Sequence, residues 1–296
     1  MESSSTVEKA VDLLFYLHSA PAPVGVTAIG RALGIPKSSA HRVLQSLAGR
    51  GLVERDARGH YRPGFGLLVL GLGVQDREPV VAAARPLLEA EARDFGETLF
   101  LVVARGGELI VLDKVEGTGF LRAAPQVGSS VPIHATAVGK LYLAFGAAAL
   151  ASHPDYPGQL GLPDKLSDEL SDDLPDELPD LPSRPRPKTG TAKAGAGDSL
   201  ETFTPETLVE RDGLARAIRL VREQGWASNR DEWIPGLSVI AAPVLAAGRM
   251  QAAVALAAPS ARLEELGGDA LGERLKTIAR ATAARIEGYG AGGVEA

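Results

Sequence analysis

The sequence predicts an α+β protein of two domains: a small N-terminal bundle of three helices closed by a β-hairpin, and a larger C-terminal domain of mixed α/β type. Three observations predict it. Short amphipathic helical patterns and a glycine-turned hairpin fill the first 64 residues, β-rich runs punctuated by glycine recur between 98 and 257, and 296 residues at 45% hydrophobic content exceed one average core.

In the first domain, residues 1–64, Val7, Val11, Leu14 and Leu17 recur at helical spacing until Pro21 and Pro23 interrupt the pattern. Thr27 suits an N-cap for a short second helix in which Ile29, Ala32 and Leu33 face inward, and Gly34 ends it. Pro36 opens a third helix over about 37–48, at a position where a missing N–H costs nothing. Leu52–Arg55 and His60–Arg62 flank Asp56-Ala57-Arg58-Gly59, a hairpin with glycine in the turn. Helix, helix, helix and hairpin is the order of a winged helix-turn-helix.

A linker helix is expected over 65–85, and the second domain over 86–290. It opens with a helix from Pro86 to Phe95, ended by Gly96, and with strands Thr98–Ala104 and Glu108–Asp113 joined by Gly106-Gly107. Leu121–Ala124 reads as a third strand and His134–Phe145 as a helix. Asp212–Gln224 is an amphipathic helix, Leu237–Leu245 and Met250–Ala257 are strands turning at Gly248, and Leu263–Ile286 is a closing helical region.

Residues 152–200 differ in character. Leu166, Leu170, Leu174 and Leu178 mark an acidic four-residue repeat, and Pro175, Pro179 and Pro182 recur too closely for a helix, so a disordered low-complexity insertion is expected.

The net charge of −6 is unevenly placed. Residues 1–75 hold eight basic and five acidic side chains, a net of +3, whereas 151–200 hold ten acidic and five basic. There is no cysteine, so disulfides and thiolate chemistry are excluded. Met1-Glu2-Ser3-Ser4-Ser5 has neither the basic nor the apolar region of a signal peptide, and no stretch approaches ~20 apolar residues. A soluble cytoplasmic protein with no membrane association is the expectation.

On the third helix Ala40, Val43, Leu44 and Leu47 form the buried stripe, leaving Ser38, His41, Arg42 and Gln45 outward. These side chains hydrogen-bond base edges and phosphates, on a helix that fits the major groove. Lys37, Ser38 and Ser39 stand at the helix start, where backbone amides also bind phosphate, and Arg58 sits at the hairpin tip. Polar outer faces are universal, so the helix pattern alone also fits an ordinary solvated helix or an interaction module.

The specific signal lies in longer matches. Val7-Glu8-Lys9-Ala10, the run from Ala32 to Leu44 and Gly51-Leu52-Val53-Glu54-Arg55 resemble the IclR family of bacterial regulators, as do Ala84-Arg85-Pro86, Gly96-Glu97-Thr98, Asp113–Gly117, His134–Lys140 and Ile240-Ala241-Ala242-Pro243. The resemblance implies a DNA-binding transcriptional regulator whose C-terminal domain has a GAF-like fold and binds a small effector, often an organic or aromatic acid. It also implies a dimer or tetramer matched to paired half-sites on double-stranded operator DNA.

The segment Ala135–Val138 opens a helix whose first amides, at Ala137 and Val138, suit a carboxylate without a cationic side chain. The resemblance places the rest of the pocket at Phe120, Val131, Asn229, Val239, Ala255 and Ala257. Several family members carry Asp, Cys and two Ser at the last four. Asn, Val, Ala and Ala imply a less polar, roomier pocket, and an effector with an aromatic or branched apolar body. Plain core packing by the same alanines is the alternative.

His134 lacks a general-base partner at a motif spacing, no Gly-x-Ser-x-Gly elbow occurs, and no His pair has metal-ligand spacing. No metal, cofactor or enzymatic activity is therefore expected, and Trp226 and Trp233 read as packing residues beside the pocket. Ligand binding near Val138 is expected to shift subunit placement and so alter DNA binding. A small-molecule-binding enzyme with a fused helical domain, and an interaction module using the acidic insertion, are the other functional classes open at this point.

Overall fold

The computed structural model describes residues 5–75, 77–119, 125–150 and 200–292. The expected strand at 121–124, Phe120 and all but the last residue of the 152–200 insertion lie outside the described residues. The described chain divides into two units between Arg77 and Glu78.

The first unit runs α1 (Thr6–Ser19), β1 (Val24–Gly25), α2 (Val26–Leu33), α3 (Lys37–Ala48), β2 (Val53–Arg55), β3 (His60–Pro63) and α4 (Phe65–Gln75). Its core is Leu13, Leu17, Ile29, Val43, Leu44, Val53 and Tyr61. A capping box holds the start of α1: the Ser5 hydroxyl accepts the Glu8 N–H and the Glu8 carboxylate accepts the Ser5 N–H.

The inward face of α1 keeps Leu17 and the half-buried Leu14 of the expected stripe but not Val7 or Val11. Leu13 and Leu17 are buried, while Val7 and Val11 are 72% and 42% exposed. Two apolar stripes overlap on this helix, and contact with α3 and β3 selects the one through Leu13. Likewise α2 begins at Val26 with Gly25 as its cap, because Gly25 is already paired with His60 in a three-stranded sheet of order β1-β3-β2. Thr27 therefore lies inside the first turn, and Ala32 is exposed. Gly34 ends α2 at φ +66°, as a left-handed cap.

The second unit contains α5 (Pro79–Phe95), β4 (Thr98–Arg105), β5 (Glu108–Val115), β6 (Ser130–Val131), α6 (Ala137–Phe145), a 3-10 turn (Ala147–Leu150), α7 (Arg211–Gln224), β7 (Ala227–Arg230), β8 (Leu237–Ala246), β9 (Arg249–Pro259), α8 (Ser260–Leu266) and α9 (Gly268–Gly292). The segment expected as one linker helix over 65–85 thus carries two helices, α4 and α5, the second starting seven residues before Pro86. Pro86 stands inside α5, where it removes one intrahelical hydrogen bond. In the same turn the Ala83 carbonyl accepts from Arg285.

One antiparallel six-stranded sheet, order β6-β5-β4-β9-β8-β7, separates two cores. Alternation along each strand sorts the side chains. Phe100, Val102, Ala253, Ala255 and Ala257 face α6 and α7, whereas Leu99, Leu101, Val254 and Leu256 face α5 and α9. A bulge in β5 shifts its register, so that Leu101 pairs with Asp113 and Val102 with Val111. Asp113 is thereby turned toward α5, where Arg85 Nη2 meets Oδ1 at 2.5 Å. Ala247 and Gly248, at φ +50° and +71°, make the turn between β8 and β9.

Candidate nucleic-acid interface and effector pocket

On α3 the inner side is Ala40, Val43 and Leu44, all buried, with Leu47 half-buried. Lys37, Ser38, Arg42 and Gln45 are exposed, and Ser39 and His41 are half-buried. The helix is capped by Pro36, which supplies no side-chain acceptor, so the first-turn amides at Lys37, Ser38 and Ser39 are offered outward. Arg58 is exposed at the tip of the β2–β3 hairpin. That turn is built by Asp56, whose Oδ1 accepts the N–H groups of Arg58 and His60 at 2.9 and 2.8 Å, and by Gly59 at φ +83°. These backbone hydrogen bonds, that to His60 foremost, hold the Asp56 carboxyl below the usual carboxylate range.

In the second unit a pocket with about 490 Å³ of empty space, including its open mouth, lies between the sheet, the start of α6 and the loop after β7. Its sheet wall follows from register. Asn229, Val239 and Ala257 stand side by side on β7, β8 and β9, and the neighbouring row places Ala255 beside Phe100. Two adjacent alanines on the same face of β9 leave the depression that Phe100, Val239 and Trp233 surround.

The helix end is fixed by a tight approach. A Cβ on Gly139 would stand 1.7 Å from the Ile133 carbonyl oxygen, so glycine is required for α6 to start here. Thr136 is the N-cap, and its hydroxyl accepts the Gly139 N–H at 3.0 Å and donates to Pro132 O at 2.6 Å. The expected helix over 134–145 therefore begins three residues later, after a turn. Ala137 N–H donates to Asn229 Oδ1 at 3.3 Å, and Lys140 N–H to Thr136 O at 3.1 Å. Val138 N–H is left without an acceptor among the described residues, and Val138 lines the pocket.

Of the residues expected from sequence, the pocket gathers Val131, Val138, Asn229, Val239, Ala255 and Ala257. Ala137 is buried behind the lining and takes part through its amide. Phe100, Val102, Val111, Thr136 and Ile234, for which the sequence analysis has no expectation, also line it, as does Trp233. Period-two alternation on β4 and β5 was the available signal for Phe100, Val102 and Val111. Trp233 faces the pocket, but Trp226 packs in the other core, against Gly272 on α9. His134 is buried, with Nε2 2.8 Å from the Glu201 carbonyl and its ring 5.6 Å from that of Phe203.

Comparison with known families decides what this pairing of units is. The IclR helix-turn-helix domain profile matches residues 6–57, and that of the bacterial transcriptional regulator IclR C-terminal domain matches 73–153 and 186–284. The chain belongs to the IclR family. It is an IclR-type transcriptional regulator, with a helix-turn-helix domain and a C-terminal effector-binding domain.

Among IclR relatives, the HTH-type transcriptional regulator XynR of Escherichia coli (strain K12) is 27% identical over 265 residues, covering 88% of each chain. The HTH-type transcriptional repressor AllR of the same strain is 26% identical over 281 residues, 94% of this chain and 89% of that one. Two crystal structures share the IclR fold at a TM-score of 0.69. An IclR regulator from Alicyclobacillus acidocaldarius is 23% identical, covering 96% of this chain and 99% of that one. An IclR homologue from Microbacterium hydrocarbonoxydans complexed with 4-hydroxybenzoate is 19% identical, covering 96% and 100%.

Against the Asp, Cys and Ser side chains that the family resemblance implies for other members, this IclR pocket carries Asn229, Val239, Ala255 and Ala257. The helix and the loop that flank it are joined by a buried ion pair between Lys140 of α6 and Glu232, next to Trp233, a pairing across 92 residues that short-range patterns do not disclose. Burial pushes the Lys140 ammonium below its ordinary range, against the pull of Glu232. Thr204 donates to Asp231 O and Thr207 to Glu232 O, both at 2.6 Å, so the chain returning from the insertion is tied to the same loop.

Proposed function

We propose that this regulator reads a double-stranded operator with Lys37, Ser38, Ser39, His41, Arg42 and Gln45 of α3 and with Arg58 of the wing. Its affinity for that operator is controlled by a small organic acid with a partly apolar, aromatic or branched body. The regulator works in the cytoplasm as a dimer or tetramer, so that two recognition helices meet two half-sites.

The observation that carries the effector reading is the Val138 N–H, which has no acceptor among the described residues, in the lining of an apolar pocket. An amide in the first turn of a helix stabilises an anion without a cationic side chain. Asn229, whose Oδ1 is used by Ala137, has its Nδ2 as a further donor. Phe100, Val102, Val239, Ala255 and Ala257 then accept a flat or branched hydrocarbon body, because every lining side chain on β4, β8 and β9 is apolar. The 4-hydroxybenzoate held by a relative of the same fold is a molecule of this kind. On the DNA side, exposure of Arg42 and Gln45 beside uncapped first-turn amides supports phosphate and base contacts from one helix.

Titration calorimetry of the full chain against 4-hydroxybenzoate, benzoate, isovalerate and glyoxylate tests the effector class. The expected result is binding of the first three at least tenfold tighter than glyoxylate; a preference for glyoxylate overturns it. Genome-wide mapping of bound DNA tests the operator reading, which predicts a small set of enriched sites.

A further inference from the structure

Thr136 and Val138 line the pocket from the start of α6, and Trp233 and Ile234 line it from the loop between β7 and β8. Lys140 stands one turn beyond Thr136, and its side chain spans the two sides. Nζ donates to Ser228 O at 3.1 Å and meets Glu232 Oε1 at 2.5 Å, 92 residues away in sequence. The other carboxylate oxygen, Glu232 Oε2, is buried and has no partner among the described residues.

The loop is held in one shape where it leaves β7. Asp231 has φ +55°, a left-handed backbone that a non-glycine residue keeps only where its surroundings impose it. Here they do. Asp231 Oδ1 accepts from Ser260 Oγ at 2.6 Å, and Ser260 Oγ accepts from Ser238 Oγ at 2.8 Å. Asp231 O accepts from Thr204 Oγ1 at 2.6 Å, and the Asp231 N–H donates to Leu237 O at 3.2 Å. Thr207 Oγ1 then donates to Glu232 O at 2.6 Å. With its backbone fixed on both sides of this turn, the loop sends Glu232 inward to Lys140 and the next residue, Trp233, to the pocket.

We propose that Lys140 and Glu232, with Thr207 behind them, are positioning residues of the effector site: they hold the Trp233–Ile234 side at a fixed distance from the first turn of α6, and so set how tightly an apolar acid body is gripped once its carboxylate is on the Val138 N–H. Neither Lys140 nor Glu232 is among the lining residues, so both act through their neighbours. A buried ion pair adds little net stability over apolar side chains of the same size, and an unsatisfied oxygen lowers its worth further. What the pair supplies is geometry, because a short charge-assisted bond fixes distance and direction where an apolar contact slides. Replacing both members leaves the net charge of the site unchanged, so an altered choice of ligand reports geometry and not a lost attraction for the anion. The inference rests on the effector reading for its consequence, but not for the placement of Trp233.

The chain has two tryptophans, and Trp226 packs in the other core, so Trp226→Phe in the full-length protein leaves Trp233 as the single reporter of the loop. In that background and without ligand, Lys140→Met/Glu232→Leu is expected to shift Trp233 emission to the red and to raise its acrylamide quenching constant at least twofold. Unchanged emission and quenching in the folded double variant overturn the proposal. If that variant does not fold, Thr207→Val, which cuts the bond to Glu232 O, is read in its place by the same two outcomes, with Thr207→Ser expected to restore the wild-type signal. Calorimetry reads the consequence. Benzoate and isovalerate are expected to bind the variant at least tenfold more weakly than wild type, while glyoxylate, which has almost no body to grip, stays within about threefold. Equal weakening of all three acids marks a merely structural loss and overturns the proposal, as does unaltered binding of benzoate and isovalerate. If no acid binds wild type while Trp233 responds to the substitutions, the effector reading fails and the placement of Trp233 by the pair stands.

Discussion

Lys140 Nζ meets Glu232 Oε1 at 2.5 Å inside the second unit, with 4% and 10% of the two side chains exposed, and a second bond at 3.1 Å ties the ammonium to Ser228 O. Glu232 Oε2 has no partner among the described residues. Lys140→Met leaves that carboxylate buried and uncompensated, which costs about 3–5 kcal/mol. The double variant Lys140→Met/Glu232→Leu is expected to recover most of the loss. Urea denaturation of the three proteins checks this, and equal destabilisation of single and double variants would contradict it.

Asp113 supplies the pH dependence. Desolvation raises its carboxyl above the ordinary value of 3.8, against the Lys114 N–H and the Arg85 guanidinium. A group that holds its proton more tightly in the folded state contributes stability that is complete below 3.8 and lost as pH rises through the higher folded value. Relative to Asp113→Asn, the wild type is therefore expected to lose stability across that acid window and to level off above it. Thermal melts of both proteins from pH 3 to 7, roughly the carboxylate range, provide the measurement.

Ala255 stands between Ala241 and Phe100 in the pocket wall. Ala255→Leu fills the space proposed for the effector body, and is expected to weaken aromatic acid binding at least tenfold while leaving operator affinity without effector unchanged. Ala255→Ser, which restores a hydroxyl, should shift preference toward smaller and more polar acids. Calorimetry and gel shift on the same preparations separate the two effects.

Arg42 and Gln45 are neighbours on the exposed side of α3, and the proposed operator contact gives them different roles. Arg42→Ala is expected to weaken binding to all duplexes alike and to lower the slope of log K against log salt by about 1, because one phosphate contact is lost. Gln45→Ala should cost ~1–3 kcal/mol at a single base position and relax specificity there. Fluorescence anisotropy across a salt series distinguishes them; an unchanged slope for Arg42→Ala would remove that phosphate contact.

What could be read in the sequence was local. Gly34, Gly59, Gly96 and Gly248 marked the ends of elements because a positive φ is cheap only there, and the stripe Ala40-Val43-Leu44 named the inner face of α3 without help from its neighbours. On α1 the stripe Val7-Val11-Leu14-Leu17 holds only for its second half: Leu14 and Leu17 pack inward, but the burial of Leu13 leaves Val7 and Val11 exposed. The match to the IclR family, in turn, made most of the pocket positions legible, through motifs rather than through period or charge.

The amino-acid sequence by itself determined two units, most of the helix and strand order of each and the family, because these follow from periodicity, turn residues and motif identity within short windows, but the short strands β1, β6 and β7 and the break between α4 and α5 were not among them. Only the tertiary structure decided that Phe100 lies beside Ala255, that the β5 bulge turns Asp113 toward Arg85, and that Lys140 and Glu232, 92 residues apart, share one proton-bearing contact. Such pairs depend on strand register and on burial, and both are set by chain segments that meet only after the sheet has formed.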